Sequence, residues 1–586
     1  MAANRSVNGV MDGVSISNTT DSGSQTFYDK LGGVPTVLLQ NIDLLILEIR
    51  IVSTALAIIY IGCHAALRRP PSAAAPQKRG RDKKGSDDDE DRDDAFVQGM
   101  LPSDIILIPI LAGIVLIGLY YLINWLEDPD ILNKILKVYF SVMSLASLGK
   151  LLADGLHVLT TFVFPTVWTT SNGRVYHIDG KKQQQWYSHE GSTGTVQLRD
   201  DGKRSPLPGR LSSLQLSARM NTLLWGFRHL LTEEWTVRFA IHGIMNEKVK
   251  ASFNDILGIV LAVGANVVYH TLPSNFISNL MGYAFSYFGI IVMSPTTFGI
   301  GSGVLFGLFF YDIVMVFYTP YMVTVATKID APIKLVFEGP TRASMLGLGD
   351  IVVPGMFIAL CLRFDLYMYY HRQRKLQPVE LSSSNENSTK AETRRMIIKP
   401  DYVNPQGQWG DRFWGTSLLN IFSPDATPRL KASAFPKPYF YAAMFGYLIA
   451  MVVTLVMLLA FKHAQPALLY LVPGVVAAVW VTGAIRGEVK DMWVYTEDGS
   501  LDMKDVLVEV DRDGRVVKTI EPEKKENDGE GNKNEAAEDK KGRPAEKSTG
   551  TAADEVAGDK HTVKPKSYPV FLLSIEAPIP GKETKV

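Results

Sequence analysis

Apolar residues in this chain come in long blocks separated by polar, charged stretches. A helix needs ~20 apolar residues to cross ~30 Å of hydrocarbon. Blocks of that kind predict nine spans, over about Leu44–Leu67, Asp104–Leu126, Ile131–Leu152, Phe253–His270, Asn275–Met293, Phe298–Thr324, Met345–Arg363, Tyr439–Phe461 and Pro466–Ile485. The expected fold class is an all-α membrane protein of nine transmembrane helices. Lys134, Lys137 and Lys150 in the third block have to snorkel or face the bundle interior. Glycine and other small residues are dense across blocks four to seven, as close helix packing in lipid requires.

The polar segments give the organisation. Residues 1–36 are rich in Asn, Ser, Thr and Gly and read as a disordered luminal tail. They hold two glycosylation candidates, Asn4 in Asn4-Arg5-Ser6 and Asn18 in Asn18-Thr19-Thr20. The start is polar and lacks a cleavable signal pattern, so the first span is expected to act as the membrane signal. Residues 37–164 hold the first three spans, with a linker at 68–102 whose Arg68, Arg69, Lys78, Arg79 and Arg81 favour the cytosol. Residues 165–250 read as a cytosolic loop. A hairpin is expected in its first half, and an amphipathic helix over Leu211–Lys250, lying on the membrane or packed on neighbouring loops. Spans four to seven fill 251–364, a basic cytosolic insert follows at 365–437, and spans eight and nine occupy 438–486. Residues 487–586 read as a largely disordered cytosolic tail with a short hairpin around Asp511–Gly514. Its apolar YPVFLLSIEAPIP stretch is too short to span. Nine crossings carry a luminal amino terminus to a cytosolic carboxyl terminus.

Composition removes several function classes. Lys+Arg and Asp+Glu are both 60, so overall charge implies no nucleic-acid partner. Cys63 and Cys361, the chain's two cysteines, both fall in predicted spans and have neither disulfide-framework nor metal-ligand spacing. There is no HExxH, no serine-centred nucleophile motif and no phosphate-cradling loop.

Two acids stand out against the apolar blocks: Asp312 in GSGVLFGLFFYDIVMVFYTP and Asp350 in SMLGLGDIVVPGMFIALCL. A carboxylate at the centre of a membrane helix costs ~3 kcal/mol, so such residues mark function by default. Two of them on neighbouring spans suggest paired-carboxylate chemistry: one takes a proton from water while the other protonates the scissile carbonyl oxygen. Such a pair is expected to share one proton near neutral pH. Tyr311 offers a hydroxyl beside Asp312. Gly347 and Gly349, flanking Leu348, let backbone or substrate approach Asp350. Gln465-Pro466-Ala467-Leu468 opens the ninth block, where proline favours either an irregular segment lining a cavity or an ordinary first helical turn. On spacing alone, three readings stand: a protease, a proton or ion relay of the kind transporters use, and a structural pair of satisfied acids.

The motifs Tyr311-Asp312, Gly347-Leu348-Gly349-Asp350 and Pro466-Ala467-Leu468, in that order on three late spans, resemble the signal peptide peptidases, intramembrane aspartyl proteases related to presenilin. The strings DAPIKLVF (330–337), LGLGDIVVPGMFIALCLRFD (346–365) and FKHAQPALLYLVPG (461–474) are similar to the same family. The resemblance runs best over about 275–365 and 438–490 and weakens in the first three spans. It implies a nine-helix presenilin-like bundle, no metal or organic cofactor, and Asp312 and Asp350 as catalytic. Tyr311, Gly347, Leu348, Gly349 and Gln465 to Leu468 would then shape the site and position substrate. It also implies cleavage of remnant signal peptides and type II membrane segments in the endoplasmic reticulum membrane. The substrates would be transmembrane helical peptides met within the lipid bilayer, with water entering from the cytosol. A homo-oligomer or membrane-protein degradation machinery stays open as a partner.

Overall fold

A computed structural model describes residues 42–74, 98–126, 129–170, 174–180, 182–190, 196–200, 203–214, 216–241, 245–272, 274–329, 331–339, 343–380, 393–415, 428–461, 465–497, 507–510, 516–520 and 571–577. Among them, nine helices are long and apolar enough to cross a membrane: α1 Ile42–Ala65, α2 Asp104–Trp125, α3 Pro129–Val163, α4 Phe253–Thr271, α5 Asn275–Val292, α6 Phe298–Phe317, α7 Gly349–Arg372, α8 Pro438–Phe461 and α9 Leu468–Arg486. The protein is a multi-pass, all-α membrane protein. The glycosylation candidates Asn4 and Asn18, and residues 522–566 of the tail, lie outside the described residues.

Local chemistry explains the helix ends. Ser252 and Asp255 form a capping box at the start of α4. Thr297 accepts from the Ile300 N–H at the start of α6. At the end of α9, Gly487 has φ +68°, and the Gly487 and Glu488 N–H groups donate to Ala484 and Gly483, a Schellman ending that needs the glycine. Helix α6 stops at Phe317, short of the expected Thr324. Pro320 denies Thr319 a helical backbone, and a separate short helix, Tyr321–Lys328, follows.

Helix α7 is the hub: 89% of its apolar window is buried in the protein, against 39% or less for every other span. It touches α1, α5, α6, α8 and α9. The expected end at Arg363 is corrected to Arg372, so 365–372 belongs to the span and not to the insert. The misleading charges are compensated inside. Arg363 pairs with Glu497, which also accepts from Arg68 at 2.6 Å. Asp365 accepts from the backbone N–H groups of Tyr439 and Phe440 at 3.2 and 2.9 Å. Helices α8 and α9 meet through Gly446 and Gly474: a β-carbon on Gly446 would stand 2.7 Å from the Gly474 carbonyl oxygen. A hairpin, Lys334–Glu338 paired with Ala343–Gly347, leads directly into α7.

Residues 165–250 contain more strand than expected. Val167–Thr169, Val175–Asp179, Gln184–Glu190 and Val196–Asp200 form a four-stranded antiparallel sheet. The amphipathic helix expected over Leu211–Lys250 is confined to Ala218–Thr232, and Glu234–Ile241 and Met245–Ser252 are strands. The correction has a plain cause: Trp235, Val237, Phe239 and Ile241 alternate with Thr236, Arg238 and Ala240, which is a strand period. Trp235–Lys250, the greater part of these two strands, belongs with Phe571–Glu576 and the other described residues from Leu507 on to a second compact unit. There Phe571–Glu576, the FLLSIE of the apolar stretch, pairs antiparallel with the first strand, Phe571 opposite Ile241 and Glu576 opposite Thr236. The hairpin expected around Asp511–Gly514 has its strands at Leu507–Val510 and Val516–Ile520.

Candidate active site

Helices α6 and α7 bring the two sequence-flagged acids together. Asp312 sits in the last two turns of α6 and is buried. Asp350 opens the first turn of α7 and is half-buried. The two helices that carry them pack against each other.

The Pro466-Ala467-Leu468 segment completes the arrangement. Ala467 is the residue before α9 and offers no side-chain acceptor to its first turn. The Leu468 N–H would be left without a partner, as first-turn amides are. It donates instead to Asp312 Oδ2 at 3.0 Å. A carboxylate from α6 therefore does the work of an N-cap for α9, with a favourable helix-dipole interaction. Among the described residues, nothing donates to Asp312 Oδ1 or to the Asp350 carboxyl. Both remain available to a water or a peptide.

The other flagged residues have distinct places. A β-carbon on Gly347 would lie 3.3 Å from Asp350 Oδ2, so the glycine makes room for that carboxyl. Leu348 donates its N–H to the Ile333 carbonyl and starts α7 by accepting from Ile351 and Val352. Gly349 has open space on its side-chain face. Tyr311 lies against α2, where a β-carbon on Gly113 would stand 3.8 Å from its ring. Gln465 Oε1 accepts from the Tyr470 hydroxyl at 3.4 Å.

Two residues escaped the sequence reading. Tyr447 of α8 is fully buried and donates its hydroxyl to the Asp350 backbone carbonyl at 3.1 Å. Asp365 is a further buried acid in the bundle. The available signal for Tyr447 was Pro354, four residues beyond Asp350. For Asp365 it was Lys437, which stands before α8 with no acceptor to cap it.

A family model described as signal peptide peptidase matches residues 92–499. Intramembrane protease 2 of Caenorhabditis elegans is 33% identical over 267 residues, 44% of this chain and 46% of the relative. A probable intramembrane protease of Schizosaccharomyces pombe is 32% identical over 255 residues, 42% of this chain and 67% of the relative. A signal peptide peptidase of Mus musculus is 33% identical over 255 residues, 42% of this chain and 50% of the relative. The chain spans about half the length of the worm and mouse relatives. No solved structure matches.

Proposed function

The chain belongs to the signal peptide peptidase family, and on that premise we propose that it is an intramembrane aspartic endopeptidase with Asp312 and Asp350 as its catalytic pair. One observation carries the reading: the two acids lie on membrane helices that pack against each other, and the Leu468 N–H occupies only one oxygen of one of them. One carboxyl draws a proton from water as it attacks the scissile carbonyl, and the other delivers a proton to the carbonyl oxygen. The Leu468 bond fixes the Asp312 carboxyl plane, which supplies the orientation this chemistry needs.

A substrate helix hides its carbonyls in its own hydrogen bonds, so cleavage needs a helix end or a Gly, Pro or Ser break. Remnant signal peptides and type II membrane segments in the endoplasmic reticulum are the substrates we propose, in keeping with the names of the relatives. Basic residues after α1 favour a luminal amino terminus. Six crossings then put the 318–348 connection on the luminal side, next to Asp350. This count conflicts with water entry from the cytosol, and we take the luminal path instead.

A peptide mimic carrying a hydroxyl in place of the scissile carbonyl tests the reading. A protease binds it, and Asp312→Ala or Asp350→Ala abolishes the binding. A proton or ion relay has no reason to bind it, so absence of binding to the wild-type chain would favour that class.

A further inference from the structure

Helix α7 starts with a defect placed at Asp350. In an α-helix the carbonyl of residue 350 accepts from the N–H of residue 354. Residue 354 is proline, inside the helix, and has no N–H to give. The Asp350 carbonyl would be a part-buried acceptor without its intrahelical partner, a costly state. The Tyr447 hydroxyl reaches it at 3.1 Å from α8, and Tyr447 is fully buried. Farther along the same helix pair, Asp365 of α7 holds the first-turn N–H groups of Tyr439 and Phe440 on α8. The two helices are thus clipped at two places, and one clip is on the backbone of a proposed catalytic residue.

We infer that Tyr447 is the positioning residue for Asp350: its hydroxyl substitutes for the donor that Pro354 removes and fixes the first turn of α7, from which the carboxyl projects. The inference rests on the aspartic-protease reading above. The arrangement ties the Asp350 carbonyl to a neighbouring helix rather than to its own next turn. The direction of the Asp350 carboxyl is therefore set by α8, the helix that also packs on α9.

The test is a rescue in the purified full chain. Tyr447→Phe keeps the ring and removes the hydroxyl. It is expected to lower kcat for a helical peptide about tenfold with KM little changed, because about one hydrogen bond of orientation is lost. Adding Pro354→Ala returns an N–H to the Asp350 carbonyl and should restore most of kcat. A merely structural role for the tyrosine gives no reason for that rescue. Wild-type kcat in Tyr447→Phe, or a double variant as slow as the single one, would overturn the inference. Hydrogen exchange at the Ile351–Met356 amides provides a readout independent of cleavage. It should quicken in Tyr447→Phe and slow again in the double variant. If exchange behaves so while no peptide is cut by any form, the clip stands and the protease reading falls. If the wild type cuts and neither measurement responds to Tyr447→Phe, the clip falls and the protease reading stands.

Discussion

Helices α8 and α9 begin with the same problem and solve it with the same device, to different ends. Neither has a residue able to cap itself: Lys437 precedes α8 and Ala467 precedes α9. Each takes a buried carboxylate from another helix. Asp365 spends both oxygens, Oδ1 on the Tyr439 N–H and Oδ2 on the Phe440 N–H. Asp312 spends only Oδ2, on the Leu468 N–H. The first cap is closed and fastens α7 to α8. The second is open: among the described residues, nothing donates to its remaining oxygen. On the proposed reading, Asp365 is structural and Asp312 chemical because the fold consumes both oxygens of the first and one of the second.

The largest stability effect that would sharpen this contrast comes from Asp365→Ala. It strands two buried N–H donors, which should cost about 3 kcal/mol, read as a lowered unfolding midpoint in detergent. A stability loss below that of Asp312→Ala would break the comparison. Asp312→Ala should cost only about 1 kcal/mol, one cap bond, partly offset by relief of repulsion between two neighbouring acids. The smallest effect concerns Lys437, at the closed cap. Burial, reinforced by Arg412 and opposed by Asp365, pushes its ammonium down to about 8. An unfolded lysine titrates at ~10.4, so between those values the unfolded chain holds more protons. Stability should therefore rise as pH climbs from about 8 to ~10.4, and Lys437→Met should flatten the rise.

The spans were legible because the bilayer imposes a length and a polarity that a sequence displays directly. The open site was legible for the same reason: Asp312 and Asp350 interrupt apolar blocks. The closed cap was not, because Arg363 appeared to end the seventh span. Its burial depends on Glu497, far along the chain, and no local pattern announces such a partner. The hairpin at Glu234–Ser252 was within reach, since its residues alternate, but the strand it pairs with, Phe571–Glu576, arrives from the other end of the sequence. Tyr447 was hidden in an apolar span where a tyrosine passes for packing. Only the proline at 354 hints that a carbonyl needs a donor.

The decisive measurement is cleavage of a defined signal-peptide helix by the purified, reconstituted chain, comparing wild type with Asp312→Asn, Asp350→Asn and Asp365→Asn at equal amounts of folded protein. The account predicts peptide release by the wild type and by Asp365→Asn, and none by the other two. Release by Asp312→Asn or Asp350→Asn, or loss confined to Asp365→Asn, would contradict it.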